Sequence, residues 1–281
     1  MRNARLGIRP TGSIGAMVSG VDLTEPLDDD VHAEMRRALH DHGVLFFRDQ
    51  AITSEQHVAL GKRFGAVHAN KSLPKVAGHP LIVEVRREAD EKHNHGGAWH
   101  VDEGWAEVPP LGSILVARVI PGGGGDTMFA NMYRAYETLS DGLKKTLHGL
   151  RAINSIKKRI SIQGEAEEKR RIAPQDTDRQ STMPVVVRHP DSGRKMLWMN
   201  PRHTTHFEGW SVGESEPLLD LLYDHATRPE NVYRFVWEPG SIAFWDNRAV
   251  WHYAVQDYDG FLRVMHRVSI EGTPFRPVEA P

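Results

Sequence analysis

The spacing of apolar positions divides the chain into a helical N-terminal part and a longer run of strands. In LDDDVHAEMRRALHDHG (27–43), Val31, Met35 and Leu39 recur on one helical face, acidic residues crowd the first turn, and Gly43 marks the stop. The apolar run in VLFFRD (44–49) then reads as a buried strand. Thr53 and Gln56 stand at capping-box spacing at the head of a second helix, TSEQHVALGKRFG. Beyond residue 80 the segments shorten to strand length: LIVEV, SILVARVI, DTMFAN, PVVVRH, KMLWMN, YRFVWE, SIAFWD and RVMHRVSI. Turn signals such as HPDSGRK and EPGS separate several of them. Helical stretches interrupt at MYRAYETLSDGLKKTLHGL and ESEPLLDLLYDHAT. Many strands without regular strand–helix alternation predict a mainly β fold, a sandwich or barrel with added helices. No linker, low-complexity tract or internal repeat interrupts the chain, so residues 1–281 read as one domain.

Composition then removes whole classes of chemistry. There is no cysteine, which excludes disulfides, thiolate nucleophiles and cysteine-ligated metals. A net charge of −2 supplies no basic footprint for nucleic acid or an anionic membrane surface. The start, MRNARLGIRPTG, lacks a signal-peptide core, and no apolar run reaches the roughly 18 residues a membrane helix needs. Together these features point to a cytoplasmic protein. The glycines at 122–125 lead into a strand, so they read as a turn; a phosphate cradle would lead into a helix. The clusters Lys157-Lys158-Arg159 and Lys169-Arg170-Arg171 read as solvated faces, or as flanks of a lid over 156–180 that attract an anion.

Histidine is the residue type that carries information here. The pattern His-x-Asp/Glu recurs, and most instances have plain explanations. His189-Pro-Asp191 lies in a turn where Asp191 is expected to bond its own backbone, and His206-Phe-Glu208 lies in a loop. His100-Val-Asp102 differs in its neighbours. On an extended segment residues i and i+2 share a face, so both side chains could meet one ion. Gly96, Gly97 and Ala98 allow close backbone approach, and Trp99 and Trp105 flank the pair. His252 follows SIAFWDNRAVW, a strand ending in a turn. Two histidines and a carboxylate leave open positions on a metal and suit Fe(II) oxygen chemistry. Zinc competes, but the helical HExxH arrangement of hydrolytic zinc sites is absent.

Longer stretches carry a resemblance. GVDLTEPLDD, FFRDQAIT, WHVDEGW, PPLGSILVARVIP, GGDTMFANMYRAYETLS, WDNRAVWHYAVQDY and RVMHRVSI span nearly the whole chain. In this order they closely resemble the Fe(II)- and 2-oxoglutarate-dependent dioxygenases typified by taurine dioxygenase and 2,4-dichlorophenoxyacetate dioxygenase. The resemblance implies a double-stranded β-helix, or jelly roll, using Fe(II), 2-oxoglutarate and O2. It implies His100, Asp102 and His252 as metal ligands, and Arg263 with Thr127 on the distal carboxylate of 2-oxoglutarate. It further implies that Arg267 faces the acidic group of a substrate; pairing with an internal carboxylate is the other reading of that residue.

Positions collinear with the taurine pocket hold Asn70, Leu73, Gly96, Ile160 and His203, which removes most of what would grip a small aminosulfonate. The expected substrate is therefore a small organic anion other than taurine: a sulfonate, sulfate ester, aryloxyalkanoate or other carboxylate. Asn70, Trp105, Ile160, His203 and Arg267 are its expected contacts, with Trp99 and Trp105 helping to exclude water. The expected reaction is hydroxylation, with C–S or C–O cleavage where the hydroxylated carbon bears a heteroatom. Relatives of this kind are often dimers or tetramers, so a homo-oligomer is expected. A metal-dependent hydrolase using the same triad and a non-catalytic jelly-roll binding protein are the alternatives. Succinate release on exposure to air separates both from an oxygenase.

Overall fold

A computed structural model describes residues 6–70, 73–91, 96–158, 177–276 and 278. The first helix runs over Asp29–His42, with the Asp28 carboxylate accepting from the Val31 amide and Gly43 leaving it at φ 74°. The second spans Ser54–Phe64 and carries the expected Thr53–Gln56 capping box. The stretch read as one helix after residue 131 is two, Met132–Glu137 and Asp141–Leu147. Asn131 caps the first, and Ser140 ends the gap by capping the second. The last helix is Val212–Ala226, with its own capping box at Ser211 and Glu214.

Nine strands form the larger sheet. Its main path is ordered Gly7–Pro10, Ala16–Ser19, Val44–Phe47, Ile242–Asp246, Gly112–Val119, Arg263–Ile270, His79–Arg87, Lys75–Val76. Val67–His68 pairs with the end of Arg263–Ile270. A second sheet places Thr127–Asn131 between Val232–Phe235 and Val250–Ala254, all antiparallel. Arg151–Ser155 carries Gln180–Pro184 and Thr204–Phe207 on its two sides, and Val186–Arg188 pairs with Lys195–Leu197.

Alternation along the central strands explains why the larger sheet has two cores. Val44 and Phe46 face one buried cluster, while Leu45 and Phe47 face another. Leu115 and Ala117 separate from Ile114 and Val116 in the same way, as do Ala243 and Trp245 from Phe244. On one face the two N-terminal helices supply Met35, Leu39, Leu60 and Phe64. On the other lies the second sheet: Phe46 stacks on Phe235 at 4.3 Å and meets Phe129 at 5.5 Å. These facing sheets are the two layers of a jelly roll with added helices.

Several short strands were not expected from the sequence: Gly7–Pro10, Ala16–Ser19, Arg151–Ser155, Gln180–Pro184, Thr204–Phe207 and Val250–Ala254. RAINS, QSTMP and TTHF have too little apolar alternation to stand out, and exist as strands because they pair with one another. Among the described residues, no helix is long and apolar enough to cross a membrane.

Candidate metal centre and anion pocket

The site forms where the 96–105 segment crosses the end of the second sheet. His100 makes an isolated antiparallel bridge to His252: its amide donates to the His252 carbonyl at 3.1 Å, and its carbonyl accepts from the His252 amide at 2.9 Å. Gly96 anchors the same crossing: its carbonyl accepts from the Ala254 amide at 2.9 Å. A Cβ on Gly96 would lie 3.2 Å from the His100 ring, and its φ of 82° favours glycine independently. His252 itself sits inside the strand Val250–Ala254, whereas the sequence suggested a turn end.

Asp102 also departs from the extended picture. It begins a turn, and Glu103 beside it has φ 51°. The i, i+2 strand argument therefore does not explain how His100 and Asp102 converge. The convergence comes from long-range hydrogen bonds: the Asn247 carboxamide accepts from the Asp102 amide at 2.7 Å and donates to its carbonyl at 2.9 Å. Ser113 Oγ donates to Asp102 Oδ2 at 3.1 Å. The result is a cluster in which one donor atom from each of His100, Asp102 and His252 lies within 4.8 Å of the others.

Electrostatics suit this trio to hold a cation. Burial, then the neighbouring His252 and Arg202, push the His100 pKa well below its usual value; burial takes His252 down to about 4. Both rings are therefore neutral near pH 7 and keep a lone pair. His100 Nδ1 donates to the Ala98 carbonyl at 2.7 Å, which leaves Nε2 as the ligating atom. Burial pushes the Asp102 carboxyl up, but the charge of Arg267, helped by the Ser113 hydrogen bond, holds the group below its ordinary value. A dication fits such a set: neutral imidazoles, an ionised carboxylate and donor atoms converging from three directions.

One pocket continues from this cluster to Thr127, Arg202, His203, Arg263 and Arg267, and includes Asn70, Leu73, Gly96 and Trp105 in its wall. Arg263 is 5% exposed; its Nε donates to the Gly125 carbonyl at 3.0 Å, and one terminal nitrogen is buried with no hydrogen-bond partner among the described residues. Thr127 Oγ1 accepts from Trp237 Nε1 at 3.0 Å, so its own hydroxyl proton remains available to an anion. The four glycines make a turn that delivers the Gly125 carbonyl to Arg263, with Gly124 and Gly125 at φ 76° and 71°. These features fit the distal carboxylate of a 2-oxoacid.

Arg267 takes a position between the two readings given to it. It lines the pocket, but its Nη1 donates to both oxygens of Asp102, at 2.8 and 3.0 Å, while Nε is buried without a partner among the described residues. Trp105 lines the pocket and lies under the Arg179 guanidinium at 5.1 Å. Trp99 does not line it; that ring leans on Tyr253 instead. Ile160 and most of the 156–180 segment, with Arg159 and Lys169–Arg171, lie outside the described residues. Lys158 is no solvated charge: its ammonium donates to the Thr204 carbonyl and sits over the Tyr223 ring. Arg202, Asn247 and Ser113 belong to the site and were not singled out from the sequence.

Neither alternative histidine pair enters the cluster. His189 bonds the buried Asp246 at 2.9 Å, and Asp191 accepts from Arg248 at 2.7 Å. The expectation that Asp191 bonds its own backbone is thus wrong; Arg248, fully buried, attracts it more strongly than a turn amide could. His206 bonds Thr205, and Glu208 pairs with Arg151.

Comparison with known proteins places the chain in a family. The family model described as "Taurine catabolism dioxygenase TauD, TfdA family" matches residues 7–269. An alkylsulfatase from Acinetobacter baylyi is 33% identical over 93% of this chain and 83% of its own. An alpha-ketoglutarate-dependent sulfate ester dioxygenase from Pseudomonas putida is 34% identical over 95% of this chain and 90% of its own. The crystal structure of AAD-2 in complex with Mn(II) and N-oxalylglycine superimposes with a TM-score of 0.80 at 31% identity, covering 96% of this chain and 99% of that one.

Proposed function

The chain belongs to the TauD, TfdA family of dioxygenases, and we propose that it hydroxylates a small organic anion, a sulfate monoester foremost, at Fe(II) held by His100, Asp102 and His252. It is a 2-oxoglutarate-dependent dioxygenase, 2-oxoglutarate being the alpha-ketoglutarate of its relatives' names. Family membership removes the hydrolase and the non-catalytic binding protein as readings. The observation that carries the residue assignment is the buried, unpartnered nitrogen of Arg263 in the same pocket as the His–Asp–His cluster. A buried guanidinium without an anion is costly, and a dicarboxylate reaching from metal to arginine would satisfy it.

Each residue has a task in this reading. His100 Nε2, an Asp102 oxygen and a His252 nitrogen hold the metal. Arg263 and the Thr127 hydroxyl orient 2-oxoglutarate by its far carboxylate. Arg267 offers its Nε side to the acidic group of the substrate, and Arg202 and His203 flank the same space. Asn70, Leu73 and Trp105 wall the pocket and exclude water. When bound, Fe(II), 2-oxoglutarate and O2 supply the oxidation, with decarboxylation to succinate coupled to oxygen insertion at a substrate C–H bond. With a sulfate monoester, hydroxylation of the carbon bearing the ester oxygen gives a hemiacetal sulfate. That species loses hydrogen sulfate and leaves an aldehyde, so the C–O bond breaks without a hydrolytic water.

Relatives named for sulfate esters favour this substrate class, and the pocket composition argues against taurine. The test is succinate release from Fe(II)-loaded protein exposed to air with alkyl sulfates, alkyl sulfonates, aryloxyalkanoates and taurine. Alkyl sulfates should stimulate succinate formation and release sulfate in equal amount. Taurine turnover with kcat/KM above about 10⁴ M⁻¹s⁻¹, within the ordinary enzyme range, would overturn the pocket reading.

A further inference from the structure

We propose that Asn247 is a positioning residue that sets the orientation of the Asp102 carboxylate against His100 and His252; the inference rests on the metal reading above. Asp102 lies in a turn, where no ladder of strand bonds fixes its backbone. Asn247 substitutes for that ladder. Its carboxamide oxygen accepts from the Asp102 amide at 2.7 Å, and its nitrogen donates to the Asp102 carbonyl at 2.9 Å and the Pro110 carbonyl at 3.4 Å. The Asn247 amide donates to the Leu111 carbonyl at 2.9 Å, and the residue is fully buried. A carboxamide bridging both polar groups of one peptide residue resists its rotation in either direction.

Asn247 is itself braced. It occupies the turn between Ile242–Asp246 and Val250–Ala254, the strand that delivers His252. The neighbouring Asp246 carboxylate accepts from the Arg248 amide at 3.0 Å, from Arg248 Nε at 2.9 Å and Nη2 at 2.7 Å, and from His189 Nε2 at 2.9 Å. Burial disfavours that carboxylate, but Arg248 and His189 outweigh it and keep it ionised. The turn therefore has little freedom, and it controls two ligands together: His252 through the chain and Asp102 through Asn247. Residues that orient ligands from behind in this way commonly change metal affinity about 10- to 100-fold when replaced.

The test uses the full chain and Co(II) as probe, titrated by its ligand-field absorption and by the rise in melting temperature it causes. Asn247→Asp keeps the size and the acceptor for the Asp102 amide, but places a carboxylate oxygen against the Asp102 carbonyl. Its added negative charge alone would tighten binding of a dication, so a loss of affinity can come only from misplaced geometry. Asn247→Asp and Asn247→Ala should both weaken Co(II) about 10- to 100-fold and alter the ligand-field bands. A purely structural role would lower the melting temperature and leave those bands unchanged. Should Asn247→Ala fail to fold, the aspartate variant decides. Wild-type affinity and spectrum in Asn247→Asp would overturn the proposal. Wild-type protein whose Co(II) spectrum is indifferent to His100→Ala would overturn the metal reading itself.

Discussion

Replacing Arg263 with alanine should separate cosubstrate binding from the integrity of the fold. Arg263 is buried, lines the pocket, donates to the Gly125 carbonyl and, among the described residues, leaves one terminal nitrogen without a hydrogen-bond partner. Removing it leaves one carbonyl short of a donor and creates a cavity, but it also removes a charge whose burial is unfavourable. These effects oppose one another, so the free protein should melt within a few degrees of wild type. Binding is a different matter. Loss of a buried charge-assisted pair costs about 2–4 kcal/mol, which at about 1.4 kcal/mol per decade is roughly a 30- to 1,000-fold weaker 2-oxoglutarate. At a ligand concentration 100 times the wild-type dissociation constant, the wild-type protein gains about 2.7 kcal/mol of stability. A variant weakened 100-fold gains only about 0.4 kcal/mol under the same mass-action relation. Calorimetric titration of Mn(II)-loaded protein, with melting curves at matched 2-oxoglutarate, reads both quantities. Arg263→Lys should recover part of the affinity, since an ammonium keeps the charge and loses the fork. An unchanged 2-oxoglutarate titration in Arg263→Ala would refute the assignment.

Metal binding should vanish in Asp102→Ala and persist in Glu208→Ala and Asp191→Ala; Asp191→Ala should lose about 1–2 kcal/mol of stability with its bond to Arg248, read by denaturant unfolding. The reverse pattern would reassign the metal to one of the other histidine pairs. Arg267→Ala should weaken an alkyl sulfate strongly and raise 2-oxoglutarate consumption without product; normal substrate affinity would make Arg267 structural. Burial depresses His57 to about 3, so its neutral form stabilises the fold fully above the unfolded value near 6.5, and that contribution is lost as pH falls from there towards 3. The loss amounts to about 5 kcal/mol at most, and His57→Gln, which can still donate to the Ile114 carbonyl, should flatten the melting profile between pH 6.5 and 3. An equally steep profile in that variant would assign the acid sensitivity elsewhere.

What could be read from the chain, and what could not, follows the range of the interactions involved. Capping at Thr53 and Asp28 is local chemistry, and the helices begin where those residues stand. SILVARVI and SIAFWD announce themselves because their strands are buried on both faces. His100, Asp102 and His252 were legible as residue types in the right company, but the reason they meet was not. Asp102 lies in a turn held by a residue 145 positions away, and no periodicity encodes that. Arg202 gave no local signal either, because a single arginine in NPRHTTHF carries no pattern until Arg151–Ser155 and Thr204–Phe207 pair and bring the preceding turn to the pocket. Asp191 shows the same limit in the other direction. A Pro-Asp-Ser-Gly turn explained the residue locally, and a buried arginine from the far end of the chain claimed it.

The contact between Arg267 and Asp102 unites the two roles considered for that arginine. One edge of the guanidinium, Nη1, engages the carboxylate of the metal cluster, and the buried Nε faces no partner. A guanidinium has five donors in one rigid plane, so a second anion can be held without releasing the first. An acidic substrate bound there would sit one residue from a metal ligand, with its charge shared through the same group that tunes Asp102. Lysine could not do this, because a point charge has no second edge. A substrate anion held there would be electrostatically coupled to the Asp102 carboxylate through Arg267. Substrate position and ligand strength would then depend on one side chain whose backbone lies in the long strand Arg263–Ile270. The same strand carries Arg263 four residues earlier, so under the proposed roles the spacing between the cosubstrate carboxylate and the substrate anion would be set by strand geometry and would not depend on a loop.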